Sequence, residues 1–155
     1  MTEYPAPPPP SHAGAAGGGA SGPRAGFFRR FAAYVIDIVL ILIVAAIFYV
    51  ISKPIGIALY LLLGIVYFAY FEGSTSGQTI GKKALGIRVI DFNTGGPIGY
   101  GRGVIRYIGK IISGFVCYLG YLWMLWDREK QTWHDKLASD VVVPVESYPV
   151  SSWPN

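Results

Sequence analysis

From Phe31 to Ile51 the chain is apolar or aromatic at every position but one. A run of that length meets the roughly 20 residues that an α-helix needs to cross the hydrocarbon core of a bilayer. The exception, Asp37, lies about two helical turns in. An aspartate at the centre of a membrane helix costs about 2.5–3.5 kcal/mol on insertion scales, and less toward the interface. The apolar run outweighs that cost, so the informative question is where the carboxylate points.

Lys53 and Pro54 break the first run, and Ile55–Phe71 forms a second uncharged one. The link is too short for anything but an antiparallel hairpin, so the expected spans are 31–52 and 55–71. Tyr49, Tyr67, Tyr70 and Phe71 fall where aromatic rings settle at membrane interfaces. The N-terminal flank carries Arg24, Arg29 and Arg30, and the loop over 72–101 with its C-terminal neighbour carries Lys82, Lys83, Arg88 and Arg102; the link has Lys53 alone. The positive-inside rule then places the N-terminus and the long loop in the cytoplasm, with the link outside an inner (plasma) membrane.

Composition agrees: 52% of the 155 residues are hydrophobic and 14% charged, against about 25% charged in an ordinary soluble domain. The net charge of +4 does not indicate a nucleic-acid partner, because the basic residues flank apolar segments instead of lining a polar face. Cys117 is the only cysteine, which excludes an internal disulfide, and within an apolar segment it reads as an inert small hydrophobe. Residues 1–26 are almost all Pro, Gly, Ala and Ser, and the composition predicts a disordered tail; 144–155 is expected to be a second. PAPPPP lacks the basic flank of a polyproline ligand, and the start of the chain does not resemble a signal peptide.

The long loop contains IRVID followed by NTGG, a strand with a turn, and Asp140–Val145 is a second strand candidate. GQTIGKKA lacks the spacing and the hydroxyl residue of a phosphate-binding loop. The third apolar region, 102–126, begins with Arg102, Arg106 and Lys110, which share one helix face. Two paths fit it. It crosses and sends the tail outside, or it is a basic amphipathic helix followed by a hairpin that dips in and returns. The fold class is therefore all-α integral membrane, with two to three transmembrane helices and small β-strands in the loop and tail.

Three separated pieces resemble the RDD family of membrane proteins. RRFAAYVIDIVLI carries an arginine and an intramembrane aspartate at Arg30 and Asp37; FEGSTSGQTIGKKALGIRVID is similar to the family's glycine-rich loop; QTWHDKLASDVVV resembles its closing element, with Asp135 as the second aspartate. Ser139-Asp140 departs from the Gly-Thr-like pair that the resemblance implies. The span of the resemblance is 27–143, and it implies a membrane protein to which transport of unidentified ligands is usually attributed. The Pro/Gly-rich tail is similar in style to those of actinobacterial membrane proteins, which points to a bacterial source.

Arg30 and Asp37 are seven apart and share a helix face, too far for an easy direct contact. The expected partner of Asp37 is a basic group of the third region, giving an intramembrane cluster of Arg30, Asp37 and Arg106. Glu72, Lys82, His134 and Asp135 are expected at its cytoplasmic mouth. Two functions follow: a small, proton-coupled transporter of a cation or solute with Arg30 and Asp37 in the path, or a non-transporting module that binds or stabilises a partner, with the same residues as an internal clamp. Transport would require a homo-oligomer or a membrane partner protein. His134-Asp135 has no nucleophile beside it in sequence and no second histidine outside the tail, so neither enzymatic activity, a metal nor a cofactor is expected. Lys82 and Lys83 are expected to contact anionic headgroups of the lipid bilayer.

Overall fold

The computed structural model describes residue 20 and residues 22–116, 118–150, 152 and 153. The polyproline stretch, most of the tail over 1–26 and Cys117 lie outside the described residues. Two helices dominate. α1 (Phe27–Ile51) and α2 (Lys53–Gly73) are joined at Ser52 alone and are both long and apolar enough to cross a membrane. Pro54 sits in the first turn of α2, where its missing N–H would have had no helical partner anyway. α1 buries Ala33, Asp37, Ile41 and Ala45, a four-residue repeat that makes one seam of small and medium side chains. Its opposite face, including Val35, Val39, Leu42 and Ile43, is exposed, as a lipid-facing surface is. Gly56 closes the top of the hairpin, where a Cβ would collide with Tyr49.

A second layer caps one end of the hairpin. After α2 come α3 (Ile80–Ala84) and β1 (Ile87–Asp91), then α4 (Gly99–Phe115), α5 (Leu119–Leu122), a 3₁₀ turn (Trp123–Leu125), α6 (Trp133–Ala138) and β2 (Asp140–Pro144). β1 pairs antiparallel with β2 in the register Val89↔Val142, joining the two strands that the sequence predicts. NTGG closes a local turn, with Asp91 Oδ1 accepting from Asn93 N at 2.7 Å and Thr94 N at 3.0 Å. It does not return β1 into a hairpin of its own. Both strands are buried along their whole length, because α1 and the segment before it cover them: Ala25 N donates to Val142 O at 2.9 Å and Ala20 N to Phe92 O at 2.9 Å.

This pairing fixes the path of the third apolar region. Strands joined by backbone hydrogen bonds share one side of any membrane, so the chain between β1 and β2 returns to the side it leaves. The bend of 112° between α4 and the α5–3₁₀ segment makes that return. Ala20 and Ala25 meet the same sheet, as an even number of crossings by α1 and α2 requires. α4 is amphipathic in an inverted sense: Arg106 and Lys110 are buried while Ile105, Ile108, Ile111, Ile112 and Phe115 are exposed. Charge turned inward and isoleucine outward suits lipid, not water.

The C-terminal segment departs from its expected disorder. The Trp153 ring stacks 5.5 Å from Phe71, its Nε1 donates to Gln78 O at 3.0 Å, and Lys83 Nζ stands 4.0 Å from the ring centroid. Tyr148 Oη accepts from Gly22 N at 2.9 Å. A few aromatic anchors in a polar stretch are enough to dock it, and averaged composition does not register them.

Candidate functional site

Two polar clusters sit where the hairpin meets the second layer. The first surrounds Asp37, which is completely buried. Its Oδ1 accepts from the Tyr67 hydroxyl at 2.7 Å and from Gly81 N at 2.7 Å, and its Oδ2 accepts from the Thr79 hydroxyl at 2.6 Å. Each donor has a local reason to be there. Thr79 is the N-cap of α3, its Oγ1 also accepting from Lys82 N at 3.2 Å, which is what a threonine at that position commonly does. Tyr67 Oη accepts from Ile80 N at 3.0 Å while donating to Asp37. Gly81 lies so close to α1 that a Cβ would run into the Ala33 carbonyl. The glycine-rich loop is thus a docking element: it brings the start of α3 against the middle of α1, where one carboxylate accepts a backbone and two hydroxyl donors.

The expected ion pair between Asp37 and a basic group of the third region is not formed. Among the described residues no Lys or Arg lies within salt-bridge distance of Asp37. The reason is packing. α4 lies against α2 and α6, whereas Asp37 faces α2 and α3. The basic face of α4 therefore never reaches it.

The second cluster gathers the remaining expected residues, Arg30, Glu72, Lys82, Arg106, His134 and Asp135, together with Lys110 and Asp140. Glu72, completely buried at the end of α2, accepts from Lys82 and Lys110 on Oε1, the latter at 2.6 Å, and from Arg106 Nε on Oε2 at 2.9 Å. Arg106 Nη1 donates to both Asp135 and Asp140. Asp135 Oδ2 accepts from Arg30 Nη2 at 2.5 Å and from Thr132 N at 2.8 Å. That last contact is half of a capping box, completed by Asp135 N donating to Thr132 Oγ1 at 3.4 Å. Asp135 thereby starts α6 and ties it to α1 and α4 at once. Arg102 holds the other end of α6, donating to Ala138 O at 2.7 Å and Ser139 O at 2.6 Å and pairing with Asp91.

The electrostatics separate the two neighbouring aspartates. Burial pushes both carboxyls up, but Arg106, Arg30 and His134 together hold Asp135 well below the usual carboxylate range. Asp140 shares Arg106 with Asp135 and has a buried Oδ2 with no partner among the described residues. Burial therefore wins there, opposed by Arg106 and reinforced by Asp135, and its carboxyl is pushed up to about 8. His134 is buried among Arg106, Lys110 and Arg30, and desolvation holds its imidazole well below the usual range, against the pull of Asp135. It is neutral at pH 7, and its Nδ1 is buried with no partner among the described residues.

Asp37 and the larger cluster are joined through α3, since Gly81 contacts the one and Lys82 the other. Sequence reasoning missed Thr79, Tyr67 and Asp140 as members and gave Lys110 only as a candidate partner of Asp37, whereas it pairs with Glu72. A threonine just before GKKA is an N-cap signal and could have located Thr79; the others carried no comparable sign. Among the described residues no group of three His, Cys, Asp or Glu side chains is arranged to hold a metal ion. Beside the cluster lies a cavity of about 240 Å³ between the start of α1, α4 and the returning hairpin.

Comparison with known proteins places this arrangement in context. The family model described as RDD family matches residues 24–139. A proline-rich antigen homolog of Mycobacterium tuberculosis is 35% identical over 105 residues, covering 63% of this chain and 44% of that protein. The proline-rich antigen of Mycobacterium leprae is 37% identical over 78 residues, 50% of this chain and 31% of its own length. The uncharacterized protein YxaI of Bacillus subtilis is 31% identical over 83 residues, 54% of each chain. This chain thus spans less than half the length of the mycobacterial relatives. No solved structure matches.

Proposed function

The chain belongs to the RDD family of membrane proteins, and on that premise we propose that it is a non-transporting membrane module. In this reading a two-helix anchor carries a polar head, and Asp37 and the Arg30–Asp135–Arg106–Glu72 network are internal clamps. One observation carries it: all three acceptor contacts of Asp37 are taken by donors from α2 and the α3 loop. A carboxylate in a cation path must exchange its partners for ions, and here exchange would undock α3 from α1. The larger cluster supports the same reading. With Asp140 pushed toward its neutral acid and Lys110 toward its neutral amine by burial, Arg30, Lys82 and Arg106 face Glu72 and Asp135, a balance that repels a passing cation. Two spans also rarely enclose a pathway by themselves.

The positive-inside rule puts the head in the cytoplasm of a bacterial cell, with the α1–α2 link outside the plasma membrane. The module binds or stabilises a membrane partner protein or a second copy of itself along the exposed apolar faces of α1 and α2, and carries out no catalytic step. Proton-coupled cation transport through Arg30 and Asp37 is the competing reading, favoured by one fact, a buried carboxylate part-way down a span. Reconstitution into liposomes under a pH gradient, with sodium or potassium outside, separates the two. The clamp predicts no protein-dependent exchange from wild type. Exchange abolished in a folded Asp37→Asn variant would establish the transport reading instead.

A further inference from the structure

The clamp explains what the charged groups do for each other but not the cavity beside them. Arg30, Lys82, Arg106 and Lys110 all line it, His134 joins them, and no carboxylate does. Burial pulls the Lys110 ammonium down to about 7 and pushes the Asp140 carboxyl up to about 8, which leaves Arg30, Lys82 and Arg106 against Glu72 and Asp135 and the wall net positive. Buried cations in excess are costly unless an anion reaches them. One donor in this wall is free to meet one: among the described residues Arg106, 1% exposed, spends Nε and Nη1 on carboxylates but not Nη2.

The rest of the wall is mostly aromatic and aliphatic. Phe31 on α1 and Tyr118 before α5 line the cavity and are 55% and 63% exposed, and Leu122 completes that side. These residues belong to segments that contact lipid by the fold argued above. At about 240 Å³ the space is smaller than the roughly 300–1,000 Å³ of sites that enclose a drug-sized ligand. It suits a head group whose chains remain outside.

We propose that this cavity is a binding site for the head group of an anionic membrane phospholipid, with the phosphate against Arg106, Lys110 and Arg30 and the acyl chains leaving past Phe31 and Tyr118. The site explains why a cation-rich network can be buried at the membrane boundary. It also ties the head to the bilayer at a defined point, beyond the general attraction of surface lysines for anionic lipid. It rests on the clamp reading only in taking the network as fixed.

The test uses the full chain, purified in neutral detergent, with binding followed by native mass spectrometry and by thermal unfolding. The probes are phosphatidylglycerol, phosphatidylcholine and inorganic phosphate. Charge-assisted contacts to a phosphate predict that phosphatidylglycerol binds roughly tenfold or more tighter than phosphatidylcholine, with inorganic phosphate far weaker. Leu122→Trp, which occupies the cavity without touching a charge, and Phe31→Glu, which sets a negative group at the exposed rim, should both lose this preference. Equal binding of the two lipids would mean unspecific boundary contact and would overturn the site. Inorganic phosphate binding as tightly as phosphatidylglycerol would make it a site for a free anion, not a lipid. Retention of the preference in a folded Leu122→Trp variant would place the contact elsewhere. None of these outcomes depends on the flux measurement, so the lipid site and the clamp can fail separately.

Discussion

Thr79 offers a direct measure of how strongly Asp37 holds α3 to α1. Its hydroxyl donates to Asp37 Oδ2 at 2.6 Å and accepts from Lys82 N at 3.2 Å. Thr79→Val keeps the shape and removes both contacts. A hydrogen bond to a charged group is worth about 1.5–3 kcal/mol, and loss of an N-cap about 0.5–2 kcal/mol, so the substitution should destabilise by about 2–5 kcal/mol. Asp37→Asn alone is harder to read, because losing charge-assisted bonds is offset by no longer burying a charge. The double-mutant cycle removes that ambiguity. The desolvation change is common to both backgrounds, leaving the coupling between the Thr79 hydroxyl and Oδ2, expected at about 1–2 kcal/mol. Reversible unfolding in mixed micelles of neutral detergent and dodecyl sulfate measures all four corners. Thr79→Ser, which retains both contacts, should stay near wild type. A coupling energy near zero, with Thr79→Val no worse than Thr79→Ser, would refute the claim that Asp37 works as a docking carboxylate.

Three further outcomes follow from the same geometry. Gly81→Ala should destabilise by about 1–3 kcal/mol, as overpacking does, because the new methyl meets the Ala33 carbonyl and lies 2.9 Å from Asp37 Oδ1; thermal unfolding in detergent checks it. Ser139→Gly should stabilise by about 0.5–1 kcal/mol, since Ser139 holds φ 51° and ψ 48° at the end of α6, a left-handed conformation that glycine adopts without steric cost. Asp140→Asn should change the pH dependence of stability. The folded carboxyl titrates near 8 and the unfolded one near 4, so wild type loses stability as pH rises between those values, by at most about 1.4 kcal/mol per pH unit. The amide keeps an oxygen for Arg106 and has no proton to lose. The variant should gain on wild type from pH 5 to pH 8, and a constant difference across that range would contradict the assignment.

The parts of the fold that were legible in the sequence are those set by hydropathy and β-branched runs. The two spans and both strands fall within a few residues of expectation, and the pairing of Ile87–Asp91 with Asp140–Pro144 selects between the two paths left open for the third region. The surroundings of Asp37 were not legible, for a definable reason. A buried charge invites a search for an opposite charge, and Arg106 stands at a plausible distance along the chain. Neutral donors can fill the same carboxylate, and one of them, Gly81 N, is a backbone group with no signature in residue type. The grouping of Arg106 with Asp135 and Glu72 needed the placement of α4 against both α2 and α6, which local periodicity does not contain. At Ser139 the departure from a Gly-Thr-like pair marked a real feature, a left-handed residue followed by an aspartate that shares Arg106.

The strand pairing and the Arg106 cluster join segments that must lie on one side of the membrane, and that is the claim to test most directly. Single cysteines at Lys53, Asn93 and Arg128, all exposed positions, can be introduced with Cys117 replaced by serine and labelled in intact cells by a maleimide that does not cross the membrane. The account predicts that the cysteine at 53 is labelled from outside, whereas those at 93 and 128 react only after the membrane is opened. Labelling of 93 and 128 from opposite sides would mean that the third apolar region crosses, and would contradict the strand pairing on which the head depends.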